Sequence, residues 1–291
     1  MPELPEVENI TNSLRDKILG KKIVAISFGT VALRKPYPQS TDSVYGAKII
    51  KVHRVAKYLC IETELANRII TIVVHFGMTG RLTHTPIVHE CGDRQLHETA
   101  THCAAASLHP DQMHQHVVLF LTDGLLTYYD PRRFGSFEIL NGPVTQIEQG
   151  VEPLQEELSA NYLYQKSSSS SASIKSLIMN NKVVVGIGNI YACESLWRAR
   201  ILPSRIAREC MESEINVLVP VIKDILQRAI SAGGSTIKDY RKGDGIGGLF
   251  QLEHSVYGRN GVMCRDGGCS GIIIKTSLAG RATYHCPICQ T

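Results

Sequence analysis

The sequence predicts an α+β protein: an N-terminal helix leading into a β-sandwich, a hinge, a helical second domain and a terminal β-hairpin carrying cysteines. Three observations predict it. Apolar residues recur at helical spacing from residue 4, seven short β-type runs fill residues 22 to 140, and helical periodicity takes over beyond Pro153.

The first helix covers LPEVENITNSLRDKIL, residues 4–19, where Val7, Ile10, Leu14 and Ile18 share one face and Gly20 supplies a stop. The runs KIVAISF, AKIIKVHRV, YLCIET, RIITIVVHF, HVVLFLTD, LLTYYD and SFEIL are rich in β-branched and aromatic residues, and Gly, Asn, Asp or Pro separate them. This sandwich takes residues 1–140. Residues 141–155, punctuated by Gly and Pro, read as the interdomain linker. Helices at Ile174 to Met179 and in SEINVLVPVIKDILQRAIS belong to a second domain, 156–253. The serine run Ser167 to Ser171 reads as an exposed flexible turn. The tail, 254–291, is too short and glycine-rich to hold a core unaided.

With 291 residues and 43% hydrophobic content, the chain is long enough for two modest cores. It has no long uninterrupted apolar run and an acidic start, MPELPEVENI, where a signal peptide is basic; an intracellular, cytoplasmic protein is expected. A net charge of +4 permits a polyanionic partner without demanding one. Of nine cysteines, Cys60, Cys91, Cys103, Cys193 and Cys210 are scattered, whereas four crowd the tail, a pattern of metal binding and not of disulfides. The stretch His84 to His116 holds seven of the eleven histidines. Their spacing fits no compact ligand pair, and the stretch reads as an insertion loop without metal.

Three motifs carry chemistry. Cys264 and Cys269 are separated by four residues and Cys286 and Cys289 by two. Each pair can turn onto one ion, and the intervening segment can fold into a hairpin. Four thiolates suit one structural, tetrahedral Zn²⁺ with no position left for substrate. Arg281 lies on that hairpin, within reach of a phosphate. In KVVVGIGNIYACESLW, glycines precede a helix, so the freed amides can hold a phosphate or simply close a tight turn. At the N-terminus, loss of Met1 would leave Pro2 as a surface secondary amine, partly unprotonated near neutral pH and able to attack a sugar carbon. Glu3 and Glu6 beside it can shuttle protons or merely serve the helix dipole.

MPELPEVE, RVAKYL, HFGMTGRL, DPRRFG, GIGNIYACESLW, GGSTIKDY and the paired cysteines, in that order from residue 2 to residue 290, resemble the formamidopyrimidine-DNA glycosylase family, relatives of endonuclease VIII. The resemblance implies a helix-two-turn-helix second domain ending in a zinc finger. It also implies a bifunctional glycosylase and abasic-site lyase of base excision repair, acting as a monomer on damaged double-stranded DNA. Pro2 would attack C1′, Glu3 would be the acid/base group, and Lys57 and Arg281 would complete the catalytic set by gripping phosphates. Glu6 would support the site, Asn189, Tyr240 and His75 would add phosphate contacts, and Lys175 would meet the damaged purine.

Extruding a base leaves a gap that inserted side chains can fill. Taken singly, Met78 reads as core, Arg132 as a turn residue and Phe134 as a strand anchor; together they match the family's filling triad. That triad resembles the formamidopyrimidine branch, which implies 8-oxoguanine and formamidopyrimidines opposite cytosine as lesions. KGDGIGGLF resembles that branch's lid. The sequence departs from the family in its histidine-rich insertion, its serine run and the four-residue gap between Cys264 and Cys269.

Overall fold

The computed structural model describes residues 1–39, 41–87, 114–235 and 248–291. They form two compact units, one holding Met1–Pro2 and Val7–Thr145, the other Glu3–Glu6 and the described residues from Gln146 onward. Among the described residues no helix is long and apolar enough to cross a membrane.

The first unit is a sandwich of two antiparallel four-stranded sheets. Helix α1 (Leu4–Ile18) precedes β1 (Ile23–Phe28), β2 (Lys48–Val55), β3 (Tyr58–Leu65), β4 (Arg68–His75), β5 (Arg81–Pro86), β6 (Gln115–Leu121), β7 (Gly124–Tyr129) and β8 (Ser136–Asn141). The sheet orders are β1-β6-β7-β5 and β2-β3-β4-β8. One core joins the α1 stripe of Val7, Ile10, Leu14 and Ile18 to Val52, Leu59, Ile72 and Val74 from one sheet and Leu82, Val117, Leu119 and Leu126 from the other. That is the helical and alternating pattern read from the sequence. The eighth strand, β5, has no sequence signal: of RLTHTP only Leu82 is buried, as suits a polar edge strand paired to β7 alone.

In the second unit, α2 (Ala160–Ser168) is capped by the Ser159 hydroxyl, which accepts from the Tyr162 amide. The serine run therefore differs from expectation. Ser167 is buried in the last turn of α2, and the Ser167 and Ser168 hydroxyls donate to the carbonyls of Tyr164 and Gln165. Satisfied inside the helix, these serines do not break it. Helices α3 (Ile174–Ile178), α4 (Asn189–Arg198) and α5 (Glu212–Ser231) follow. The α5 stripe Ile215, Leu218, Ile222, Ile225, Leu226 and Ala229 is buried, and Pro220 lies within the helix.

The tail forms the two-stranded hairpin β9 (Ile274–Leu278) and β10 (Arg281–His285), with Leu278 opposite Arg281. Its small core of Val256, Cys264, Ile273 and Cys286 is completed by Cys193 and Trp197 of α4. The finger is therefore built on α4 and has no core of its own.

One close approach fixes the sandwich's loops. A Cβ on Gly135 would lie 1.8 Å from Tyr128 Oη and 2.4 Å from the His75 carbonyl oxygen. Gly135→Ala is expected to cost ~1–3 kcal/mol in chemical denaturation, the usual penalty of overpacking; a change under about 0.5 kcal/mol, the scatter of surface substitutions, refutes this account of the loop.

Candidate active site

The glycine turn before α4 answers the question its sequence left open. Glu3, not a phosphate, fills it. The Glu3 carboxylate accepts from the amides of Gly188 (2.9 Å), Ile190 (3.0 Å) and Tyr191 (3.4 Å), at the positive end of the α4 dipole. Gly188 is obligatory, because a Cβ there would fall 2.2 Å from Glu3 Cδ. The Leu4 amide donates to the Gly186 carbonyl at 3.0 Å, fixing the chain on the other side of the turn. Pro2, expected at the surface, is buried, and Met1 beside it is exposed.

Glu6 closes the first turn of α1. Its Oε2 accepts from the Glu3 amide at 2.8 Å, half of a capping box. Its Oε1 accepts from Tyr191 Oη at 2.5 Å and the Ser235 amide at 2.9 Å. Glu6 and Tyr191 are both fully buried, and burial beside two carboxylates raises the Tyr191 phenol well above its ordinary range, so it remains a donor.

The hairpin is tied down next to this turn. Asn189, the first residue of α4, donates its side-chain amide to the Ala282 carbonyl at 2.8 Å. Lys175 donates to the same carbonyl at 3.4 Å and to Thr283 Oγ1 at 2.6 Å. Lys175 is buried, and desolvation lowers its pKa. Its ammonium thus holds the strand that begins with exposed Arg281. Tyr257, which sequence reasoning missed, packs its ring 5.0 Å from that of Tyr284 on β10. The amides of Ser255, Val256 and Tyr257 all donate to buried Glu194, at 2.8–3.0 Å. Nothing in the spacing of VYGR singles that tyrosine out; the missing signal is Glu194 on α4.

Cys264, Cys269, Cys286 and Cys289 bring their sulfurs within 4.8 Å of one another. The pairs Cys264–Cys289 and Cys269–Cys286 stand 3.8 and 3.5 Å apart. A tetrahedron of thiolates with metal–sulfur bonds near 2.3 Å has edges of about 3.8 Å, so the set fits one metal ion. Trp197 Nε1 and the Gly271 amide point at Cys264 and Cys269 at 3.3 and 3.4 Å, as donors to ligand sulfurs do.

On the first unit, Lys57 lies in the two-residue turn between β2 and β3, largely buried. His75 ends β4, its ring 4.8 Å from that of Tyr58. The Gly77 amide donates to His75 Nδ1 at 3.2 Å, so the neutral ring carries its proton on Nε2. Burial, with Lys57 the next cause, lowers its pKa to about 4. Met78, Arg132 and Phe134 stand exposed on two adjoining loops, the Arg132 guanidinium 5.2 Å from the Phe134 ring centre. Asp130 braces both loops: it accepts from Thr79 Oγ1 (2.6 Å), the Arg132 amide (3.3 Å) and the Gly135 amide (2.8 Å). Tyr240, residues 242–247 of the expected lid and most of the histidine stretch, including Cys91 and Cys103, lie outside the described residues. His84 and His116 at its edges sit in β5 and β6, and His116 bonds the Asp130 carbonyl at 2.9 Å.

Residues 1–137 match the formamidopyrimidine-DNA glycosylase N-terminal domain and residues 149–241 the formamidopyrimidine-DNA glycosylase H2TH domain. The formamidopyrimidine-DNA glycosylases of Phenylobacterium zucineum and Rickettsia africae are 39% and 38% identical to the chain, covering all of it and 100% and 99% of their own lengths. The MutM (Fpg) protein of Thermus thermophilus superposes with a TM-score of 0.80 at 32% identity, over 99% of this chain and 98% of that one. A Lactococcus lactis Fpg mutant, in complex with DNA containing Fapy-dG, gives 0.82 at 30% identity over the full length of both. The chain belongs to the formamidopyrimidine-DNA glycosylase family.

His75, half-buried at the end of β4, sets a pH dependence. Folded His75 takes a proton only near pH 4, whereas the unfolded chain takes it near 6.5. Between those values the unfolded state binds more protons, so stability present above pH 6.5 is lost as the pH falls toward 4. In denaturation midpoints measured across that window, His75→Gln is expected to flatten the slope; an unchanged slope refutes the assignment.

Proposed function

We propose that this chain is a bifunctional DNA glycosylase and abasic-site lyase of base excision repair. It acts as a monomer on damaged double-stranded DNA and removes 8-oxoguanine and formamidopyrimidines. The observation that carries this reading is the Glu3 clamp. Three backbone amides hold a carboxylate one residue from Pro2, so a proton donor and acceptor sits at a fixed place beside the amine.

Removal of Met1 frees the Pro2 nitrogen. Its lone pair attacks C1′ of the damaged nucleotide, and the glycosidic bond breaks with its electron pair leaving on the base, which takes up a proton. Opening of the sugar ring at C1′–O4′ gives an iminium that acidifies the C2′ hydrogen. Loss of that hydrogen expels the 3′ phosphate, and a second elimination expels the 5′ phosphate. Glu3 moves the protons.

Lys57, His75 through its Nε2–H, Asn189, Tyr257 and Arg281 grip phosphates, and Tyr240 is assigned to the same task by the family motif alone. Met78, Arg132 and Phe134 fill the vacated stack, which is supported by their exposure on loops that Asp130 makes rigid. A purine contact by Lys175 would require its ammonium to leave Thr283. The cysteine tetrad binds Zn²⁺, which holds the Arg281 hairpin and takes no part in the chemistry.

Borohydride trapping on duplexes carrying 8-oxoguanine, an oxidised pyrimidine or an abasic site tests the reading. A covalent adduct on the 8-oxoguanine duplex is expected, and Pro2→Gly should lower its yield at least a hundredfold. No adduct on any duplex sinks the enzyme, and an adduct on the abasic duplex alone sinks the glycosylase. Cys286→Ser should release one zinc per chain, read by atomic absorption, and weaken DNA binding; zinc and affinity both retained would refute the metal's role.

A further inference from the structure

Behind Glu6 lies a second layer of buried polar contacts. Ser235, whose amide donates to Glu6 Oε1, is fully buried, and its hydroxyl lies 3.0 Å from His254 Nε2 and 3.5 Å from Tyr191 Oη. His254 is itself buried, walled edge-on by Phe250 and Tyr257 with ring centres 5.7 and 5.8 Å away. The Tyr257 backbone favours the protonated ring, but less than burial disfavours it. Desolvation pushes the His254 pKa down to about 4, which keeps the ring neutral at physiological pH. Either tautomer of the neutral ring keeps the bond between Nε2 and the Ser235 hydroxyl, Nε2 donating in one and accepting in the other.

We infer that Ser235 and His254 are positioning residues for base excision: the pair fixes the backbone at Ser235, the Ser235 amide fixes Glu6, and Glu6 fixes the Glu3 amide and thus the acid beside Pro2. This rests on the proposed glycosylase reading and deepens it. Each link is a direct hydrogen bond within one compact unit, and the atoms are buried, so a broken link cannot be repaired by bulk water. An imidazole serves here because it offers an acceptor and a donor on opposite edges of a flat ring that still packs against Phe250 and Tyr257. Phenylalanine would keep the packing and lose the bond to Ser235; glutamine would keep an acceptor and a donor.

Single-turnover excision from an 8-oxoguanine duplex, with affinity measured on a duplex containing a tetrahydrofuran abasic analogue, tests the inference. His254→Phe and Ser235→Ala are each expected to slow excision about tenfold while affinity stays within about twofold. The double variant should be no slower than the slower single, because the two act as one unit. His254→Gln should recover to within about threefold of the unmodified rate. Wild-type rates in the single variants, multiplicative losses in the double, or affinity falling in step with rate would each overturn it. If His254→Phe fails to fold, Ser235→Ala decides, since it keeps the amide to Glu6 and removes only the hydroxyl. Absence of excision and trapping in the unmodified protein would instead strike the glycosylase reading itself.

Discussion

The bond between the Glu3 carboxylate and the start of α4 is the interaction on which the rest depends. It joins a residue at the chain's beginning to amides 185 to 188 positions later, and it uses donors that every helix leaves unsatisfied. Such donors normally draw water, a capping side chain or an anion. Here the protein supplies the anion itself. The first turn of α1 therefore has two tasks, presenting Glu3 to α4 and letting Glu6 cap the turn that presents it. The chemistry proposed for Pro2 needs such an arrangement, because a chain terminus is otherwise the least ordered part of a protein.

Helix α4 is used along its whole length. Its first turn holds Glu3 and, through Asn189, the hairpin strand; its middle places Glu194 under the amides of Ser255 to Tyr257; its outer face lends Cys193 and Trp197 to the finger's core. Burial pushes the Glu194 carboxyl pKa up, and the three amides oppose that shift. The finger is held by an ion-sized pocket of sulfurs and by these bonds, and its own apolar content is slight. Lys175 has a place in the same scheme. A buried ammonium is costly unless it is bonded, and bonding it to Thr283 and Ala282 makes it a brace for Arg281.

Much of this was legible in the sequence, for identifiable reasons. The α1 stripe and seven strands declare themselves because each buries one face, and periodicity is the record of burial. The cysteines declare themselves by spacing. Strand β5 did not, because an edge strand with one buried side chain has no period to read. The occupant of the glycine turn was also hidden: GIGN shows that amides are free, but only the fold shows that Glu3 reaches them first. Tyr257 and His254 were invisible because what places them, Glu194 and Ser235, is far away in sequence and near in space. Pro2 was expected at the surface because termini usually are, yet it is buried.

The three residues proposed to fill the stack show how exposure can carry information that burial does not. Met78 and Phe134 are among the large apolar side chains left in solvent, and each alone is ordinary on a protein surface. What distinguishes them is how firmly they are held there. Asp130 uses both carboxylate oxygens on the two loops, and Gly135 is packed against Tyr128 and the His75 carbonyl so closely that no other residue fits. A mobile loop could fold such side chains back onto the protein, and the bonds to Asp130 oppose that. Rigidity of this kind lowers the ordering cost of inserting an apolar side chain into a stacked partner, so the ordering is done in folding and not in binding. An exposed apolar residue on a braced loop is thus better explained by a partner than by chance.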